Sequence, residues 1–355
     1  MSNIIPTKNY SWKIGRLANG CELCVKGLKS VLFVTGICTR NCVFCPISDK
    51  KKKKDVTYIN ERPVLQDSNI IEEVKLCSSK GVGITGGDPL LKLERTIHYI
   101  EILKKEFGKE FHIHLYTSLD HVNETILKQL YDSGLDEIRL HPELFKGLDK
   151  NLERINLVLK FDWDVGIEIP VIPGKEKETR KLIDFINGKV KFLNLNELEY
   201  TEDLTEFGFL CKEYGSYAIY GSEEMAMELL NYCSEKNLNV HYCTVRLKDG
   251  VQLKNRIINR ANNIKKWYDK ITEDGMLVRG AIYLDKENKI KNLEKLKEIQ
   301  KRYKDLELDE NKHRLLTSVK NIQKLKNKLL KENLCPAIVE EYPTYDFLEV
   351  EIDFL

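Results

Sequence analysis

The pattern of this chain predicts an α/β fold built on a parallel sheet, followed by a mostly helical C-terminal extension. Two observations carry the prediction. From Val31 to about Val240, short apolar runs alternate with amphipathic helical segments, as in βα units whose strands pair in parallel. Past Gly250 the composition shifts to charged stretches with apolar residues at helical spacing.

Strands are expected at Val31 to Thr35, Gly81 to Thr85, Phe111 to Thr117, Glu137 to His141, Val165 to Pro170 and Phe192 to Tyr200, runs of apolar residues bounded by turn formers. Between the second and third, Leu93, Ile97, Ile100 and Phe107 share one helical face, and Gly108 ends that helix. Asn123 is a natural N-cap for the next helix, with Ile126, Leu127 and Leu130 turned inward and Gly134 as its stop. Ser222 opens a further helix with Glu223 and Glu224 in its first turn, where the helix dipole favours acids.

In the extension, Lys254 to Tyr268 reads as a helix and Met276 to Leu284 as a strand. Lys286 to Glu332 reads as an αα-hairpin on Leu293, Leu296, Ile299, Val319, Ile322, Leu325 and Leu329. Ala337 to Phe354 alternates apolar and polar residues around Pro343, which suggests a short terminal hairpin. The expected organisation is an N-terminal segment over residues 1–29, the sheet unit over 30–249, and the charged extension over 250–355.

Hydrophobic residues make up 42% and charged residues 32% of the chain, the balance of a globular protein. No stretch approaches the roughly 20 apolar residues of a membrane span, and Met1 to Tyr10 lacks the apolar core of a signal peptide. A cytoplasmic protein with no membrane association is therefore expected. Ten cysteines without an export signal point to metal ligands and reduced thiols in place of a disulfide framework. A net charge of +2 gives no general pull on nucleic acid. The unbroken run Lys50 to Lys54 is a local patch that could steer an anionic substrate such as RNA or a phosphorylated metabolite, although a solvated loop is the plainer reading.

In parallel sheets function gathers at the carboxyl ends of the strands. Just past the first expected strand stand Cys38, Cys42 and Cys45, in C-T-R-N-C-V-F-C. Thiolates are soft ligands that suit iron-sulfur clusters and zinc, and three in so short a loop can take three corners of one [4Fe-4S] cube. A structural zinc site normally closes with a nearby fourth ligand, and none follows Cys45 at close spacing, so one iron would stay open for a small molecule. A zinc loop is the alternative for the same spacing. At the second strand, Gly81 to Pro89 reads G-V-G-I-T-G-G-D-P, a strand running into two glycines, an acid and a proline. Such a turn lets backbone groups approach a ligand closely, though an ordinary βα turn looks the same.

C-x-x-x-C-x-x-C with Phe44 before its last cysteine resembles the cluster loop of radical S-adenosylmethionine (SAM) enzymes, and Gly86 to Pro89 resembles their GGE-P turn, with Asp88 where Glu is usual. The βα series resembles the partial (β/α)6 barrel of that superfamily, especially of proteins like pyruvate formate-lyase activating enzyme, over roughly Ser30 to Tyr200. The resemblance implies that Cys38, Cys42 and Cys45 hold a [4Fe-4S] cluster whose open iron binds the amino and carboxylate groups of SAM. Reductive cleavage of SAM would then give a 5′-deoxyadenosyl radical that takes hydrogen from a substrate. It also implies a methionine-binding turn made of Thr85, Gly86, Gly87, Asp88 and Pro89. By position, the strand-end residues Thr117, Ser118, Arg139, His141, Glu168, Pro170, Asn194, Asn196 and Glu197 become candidates for SAM or substrate contact. Most strand-end polar groups merely satisfy neighbours, but Glu168 lies between Ile167 and Ile169, and an acid there is costly unless it faces a site or a partner. The first step needs no acid, base or nucleophile, so no catalytic side chain is assigned.

A second metal site is expected from Cys21 and Cys24, a C-x-x-C pair, with Cys243 and its neighbour His241. Zinc and an auxiliary iron-sulfur cluster, as some radical SAM relatives carry, are both open, and the plainer alternative makes Cys21 and Cys24 small buried hydrophobes. Cys77, Cys211, Cys233 and Cys335 read as packing residues, with Cys211 or Cys335 a spare ligand. The implied partners are a reductant protein of ferredoxin or flavodoxin type and a macromolecular substrate, a protein to be activated or an RNA to be modified. The competing reading from another class is a non-enzymatic, metal-stabilised module that binds RNA or protein.

Overall fold

The computed structural model describes residues 3–144, 148–213 and 216–355. The chain divides into two compact units, Met1–Lys75 with Ser79–Leu253 and Leu76–Ser78 with Lys254–Leu355.

The first unit is built on one sheet of eleven strands. They are β1 (Ile4–Pro6), β2 (Trp12–Ile14), β3 (Lys29–Phe33), β4 (Tyr58–Ile59), β5 (Arg62–Pro63), β6 (Gly81–Thr85), β7 (His112–Thr117), β8 (Glu137–Leu140), β9 (Asp164–Val171), β10 (Phe192–Glu197) and β11 (Asn239–Cys243). The order is β1-β2-β11-β10-β9-β8-β7-β6-β3-β4-β5. From β3 to β11 across the middle, seven strands run parallel and follow chain order, while short antiparallel strands edge both sides. The two outer strands of that order do not pair with each other, so the barrel is partial. The helices are α1 (Asn19–Val25), α2 (Asp67–Leu76), α3 (Leu93–Phe107), α4 (Glu124–Asp132), α5 (Leu148–Val158), α6 (Glu176–Ile186), α7 (Glu202–Glu206), α8 (Ser222–Cys233) and α9 (Val245–Leu247).

Period-two alternation sorts each central strand into two faces. Ile113 and Leu115, Ile138 and Leu140, Ile167 and Ile169, Leu193 and Leu195, and Val240 and Tyr242 are buried in the core that the helices cover. Their alternates are His114 and Tyr116, Arg139, Glu168, Asn194 and Asn196, and His241 and Cys243. Parallel strands are usually apolar on both faces. A polar inner face marks this sheet as the wall of a site.

The expected helix punctuation is present. Gly108 caps α3 with a positive φ of 87°, and Asn123 Oδ1 accepts a hydrogen bond from Ile126 N at 2.9 Å at the start of α4. The six expected strands also form, but a seventh parallel strand, β11, pairs with β10. Its V-H-Y-C core lacks a continuous apolar run, because two of those four residues belong to the inner face.

The second unit holds an antiparallel sheet of β12 (Lys270–Ile271), β13 (Leu277–Tyr283), β14 (Glu307–Asp309), β15 (Arg314–Thr317), β16 (Cys335–Glu341) and β17 (Glu349–Phe354), in the order β14-β15-β13-β16-β17 with β12 on β13. Its helices are α10 (Lys254–Ile264), α11 (Leu293–Arg302) and α12 (Val319–Lys331). The αα-hairpin expected over Lys286 to Glu332 is therefore corrected: β14 and β15 separate α11 from α12. Leu296, Ile299, Ile322 and Leu329, which mimic one heptad series, join the same core as Ile282 and Leu315 of the sheet. The terminal hairpin is the antiparallel pair β16 and β17. No helix among the described residues is long and apolar enough to cross a membrane.

Candidate active site

The inner face of the parallel strands opens on a cavity of about 560 Å³. Along β3 it runs from Lys29 and Ser30 at the start of the strand, past Phe33 at its end, to the loop that carries Cys38, Cys42 and Cys45. Phe44, Thr85, Gly86, Gly87, Pro89, Thr117, Ser118, Arg139, His141, Glu168, Pro170, Asn194, Asn196 and Glu197 share this wall, and so do Cys21, Cys24, His241 and Cys243. Asp88 of the expected glycine turn is not on the wall.

The cysteine loop is held by a residue the sequence did not single out. Arg40, between the first two cysteines, donates to Asp120 Oδ2 at 2.8 Å, His141 O at 2.8 Å and Asn151 Oδ1 at 3.2 Å, and to Ser118 O. One guanidinium thus ties the loop to the ends of β7 and β8 and to α5. Thr201 Oγ1 donates to Val43 O at 2.6 Å, and Phe44 stands against His141 with ring centroids 5.6 Å apart. Burial pushes the Cys38 thiol up and the Cys42 thiol up to about 12. Thiols so placed are poor free nucleophiles and become thiolates when a metal displaces the proton.

The Gly86–Gly87 turn is glycine for a reason of packing as well as access. A Cβ on Gly87 would stand 2.2 Å from Ile37 O and 2.9 Å from Cys38 Cβ, and one on Gly86 would stand 2.5 Å from Thr35 O. The turn is pressed onto the cysteine loop, with Gly87 N and Asp88 N donating to Thr35 O and Ile37 O at 2.7 and 2.9 Å. Asp88 is fully buried. Its carboxylate accepts from Leu90 N at 3.1 Å, Thr117 Oγ1 at 3.2 Å, Ser118 N at 3.2 Å and the Ser118 hydroxyl. It locks the turn to the end of β7 and leaves backbone groups to face the cavity.

Deeper in, an ion cluster crosses the inner face. Arg139 Nη1 donates to Glu168 Oε2 at 2.8 Å and to Tyr116 OH at 3.0 Å, while its Nε donates to Glu137 Oε1 at 2.5 Å. Asn194 and Asn196 each donate to Glu168, at 2.8 and 3.0 Å. Burial raises the Glu168 carboxyl, but Arg139 and the two asparagines hold it below its ordinary value. Glu168 therefore faces the site and is also fully partnered. Burial lowers the His141 imidazole, whose Nδ1 lies 2.9 Å from Glu168 O.

The lysine run is ordered. Gly36 N donates to Lys54 O and Lys53 N to Gly36 O, both at 2.8 Å, so the run folds back over the start of the cysteine loop. Lys51 pairs with Glu61 at 2.9 Å and Lys52 with Asp203 at 3.3 Å, and Lys52 and Lys53 reach the cavity mouth.

The arrangement fits a [4Fe-4S] cluster with an open iron. Three thiols on one loop face one cavity, beside a turn that exposes backbone groups. Three cysteines on one loop can take three corners of a cube and leave its fourth iron open.

Comparison with known proteins agrees. A sequence model of the Radical SAM superfamily matches residues 32–186. A protein of Methanocaldococcus jannaschii with the provisional name glycyl-radical enzyme activating enzyme is 46% identical over 358 residues, covering 95% of this chain and 92% of the relative. Among solved structures, SuiB of Streptococcus suis bound to S-adenosylmethionine matches with a TM-score of 0.45 at 15% identity, over 61% of this chain and 50% of SuiB. Methylornithine synthase (PylB) matches with a TM-score of 0.40 at 14% identity, over 64% of this chain and 79% of PylB. The chain belongs to the radical SAM superfamily, and it is an enzyme whose family implies a [4Fe-4S] cluster and SAM.

One placement differs from the packing roles expected for the remaining cysteines: Cys77 and Cys233 are buried and Cys335, the first residue of β16, is half-buried against the core of the second unit, but Cys211 is exposed. Neither Cys211 nor Cys335 lines the cavity.

Proposed function

We propose that this radical SAM enzyme activates a protein substrate by removing a hydrogen atom from it, with a ferredoxin- or flavodoxin-type protein as electron donor. The observation that carries the reading is the 46% identity, over 95% of the chain, to a relative named for the activation of glycyl-radical enzymes. The cavity supports it, because the cysteine loop, the Gly86–Gly87 backbone and the partnered Arg139–Glu168 pair all face one space. RNA modification is less well supported, since Lys51 and Lys52 of the basic run already have acidic partners.

In this reading Cys38, Cys42 and Cys45 hold the cluster, which when bound supplies one-electron cleavage of SAM and with it hydrogen abstraction. Arg40 keeps the loop in register with the ends of β7 and β8. Backbone groups of Gly86 and Gly87 receive the methionine end of SAM, and Asp88 positions that turn through Thr117 and Ser118. His141 and Phe44 wall the space towards the nucleoside. Asn194, Asn196 and Glu168 bound it on the side of the substrate and keep its floor preorganised.

The test is to reconstitute the chain anaerobically with iron and sulfide, add SAM and dithionite, and quantify 5′-deoxyadenosine against Cys42→Ala. Product from the wild type and none from the variant is expected. Equal, background-level product from a wild type shown to carry a SAM-binding cluster, with a glycyl-radical protein added, would overturn the reading and favour a metal-stabilised binding module.

A further inference from the structure

The floor of the cavity lies at the start of β3, at the far end of that strand from the cysteine loop, and Lys29 stands on it. Four strand steps, about 13 Å, separate Lys29 from Phe33 at the end of β3, and the loop follows beyond. Sheet register explains how a lysine side chain settles there. Lys29 and His112 flank Gly81 on neighbouring strands, and a Cβ on Gly81 would stand 2.9 Å from Lys29 Nζ and 2.3 Å from His112 O. With glycine between them the two residues meet: Lys29 Nζ donates to His112 O at 2.8 Å and contacts His112 Nδ1. His112 also lines a separate hollow of about 430 Å³ at the amino ends of the strands, so the pair closes the cavity at its base.

Lys29 is 3% exposed, and an ammonium has three N–H donors. Two are used on His112. Among the described residues the third has no acceptor, and no carboxylate pairs with Nζ. Other cations of the wall have theirs: Arg139 has Glu168 at 2.8 Å together with Glu137, and Lys248 has Glu199. Glu137 acts on Lys29 only at longer range, since its Oε1 takes Arg139 Nε and its Oε2 faces His112 Nε2 at 3.4 Å. Burial pulls the Lys29 ammonium down to about 7, against Glu137 and Cys24, which hold it up. A buried cation is costly without a counter-ion beside it. Two further buried atoms on side chains of this wall lack partners, Asn194 Oδ1 and His114 Nδ1, the latter 3.6 Å from Glu137 Oε1 and too far for a hydrogen bond. Burial holds the His114 imidazole well below its ordinary value, so the neutral ring keeps one N–H to donate. Gly83 clears the space over that ring, where a Cβ would stand 2.5 Å from Nε2.

We propose that the cavity floor is a carboxylate-binding subsite, in which the Lys29 ammonium pairs with a carboxylate of the substrate and His114 lies beside it. The unpaired charge at the floor is single, so a monoanion matches it better than a phosphate dianion. A substrate held this way is extended, with its carboxylate at the start of β3 and its reacting carbon towards the Cys38 loop. Only that last placement rests on the function proposed above. The carboxylate belongs either to a small free acid or to an acidic side chain of a protein substrate.

The experiment is carbamoylation of the reconstituted, wild-type full chain by cyanate at neutral pH, with the rate at each lysine read from proteolytic peptides by mass spectrometry. Cyanic acid is small enough to enter the cavity and adds to a neutral amine. Saturating butyrate is expected to slow labelling of Lys29 about ten-fold and to leave the exposed Lys50 and Lys54 unchanged. Butyramide, of the same shape without the charge, is expected to give no protection. Butyrate and the blocked peptide acetyl-Gly-Glu-Gly-amide form separate arms, and the one that protects at lower concentration names the source of the carboxylate. Protection by neither overturns the proposal, as does equal protection by butyramide or better protection by inorganic phosphate. A Lys29 that cyanate does not reach overturns it too, because the amine then does not open on the cavity. No arm adds SAM or a reductant, so failure here is separate from failure to form 5′-deoxyadenosine.

Discussion

In the second unit, Arg314 and Glu341 are both fully buried and paired, with Asp309 and Glu349 each 2.9 Å from the same guanidinium and Lys312 at 2.8 Å from Glu341. In the first unit, Arg139 is joined to Glu137 and Glu168 in much the same way, and the Glu168 side chain keeps 14% of its exposure through the cavity. Both clusters are costly to desolvate and both are well partnered. The difference is that Glu168 borders a cavity while Glu341 is enclosed. Burial of charge alone therefore does not mark a site; burial of charge beside empty space does.

That contrast makes the largest prediction. Glu341→Gln leaves Arg314 and Arg279 facing a neutral amide without access to water, and full-chain urea unfolding is expected to show a loss of about 3–5 kcal/mol. Glu168→Gln leaves Arg139 beside Glu137 and next to a cavity that water can enter, so a loss of about 1–3 kcal/mol is expected. Its larger effect should fall on binding in the cavity, read as weaker affinity of the reconstituted enzyme for SAM or substrate. Equal stability losses would break the comparison.

Acid sharpens it. Burial pushes the Glu137 carboxyl up, yet Arg139, His112 and Lys29 outweigh burial and hold it at about 2 against an ordinary 4.5. The unfolded chain then binds more protons than the folded one between these values, so stability rises with pH. The contribution is complete above about pH 4.5 and is lost as pH falls through about 2. Glu137→Gln should be less stable than the wild type near neutrality and should show a flatter stability profile across that window, measured by urea titration at stepped pH. Parallel profiles would remove Glu137 from the acid response.

How much of this was legible depended on whether one short segment carried the signal. Cys38, Cys42 and Cys45, the glycine turn and the caps at Asn123 and Gly108 announce themselves within a few residues, and so did six of the strands. Strand β11 did not, because His241 and Cys243 face inward and leave only Val240 and Tyr242 as an apolar pattern. In the second unit β13 and the β16–β17 pair were legible, while β15 was not, because Leu315 and Leu316 are both buried and show no alternation. Arg40 looked like a loop residue, and nothing local says that it reaches Asp120, His141 and Asn151. Asp88 matched a motif by position, while its burial and its Thr117 and Ser118 donors arise only when β6 and β7 pair. Contacts across the sheet are what the linear pattern lacks.

The smallest effect tests the two units on equal terms. Asn123 Oδ1 accepts from Ile126 N at 2.9 Å in the first unit, and Asn292 Oδ1 accepts from Lys295 N at 3.0 Å in the second. Both caps are exposed, so water can replace each oxygen in part, and the rest of the cost is the lost fixing of the helix start. Asn123→Ala and Asn292→Ala are each expected to cost about 1 kcal/mol in full-chain urea unfolding. Similar small losses would show that the two units differ in what they bury and not in how their helices begin. A loss from Asn123→Ala as large as that from Glu168→Gln would mean that α4 does more than cover the sheet, since no charge or cavity contact is removed with the cap.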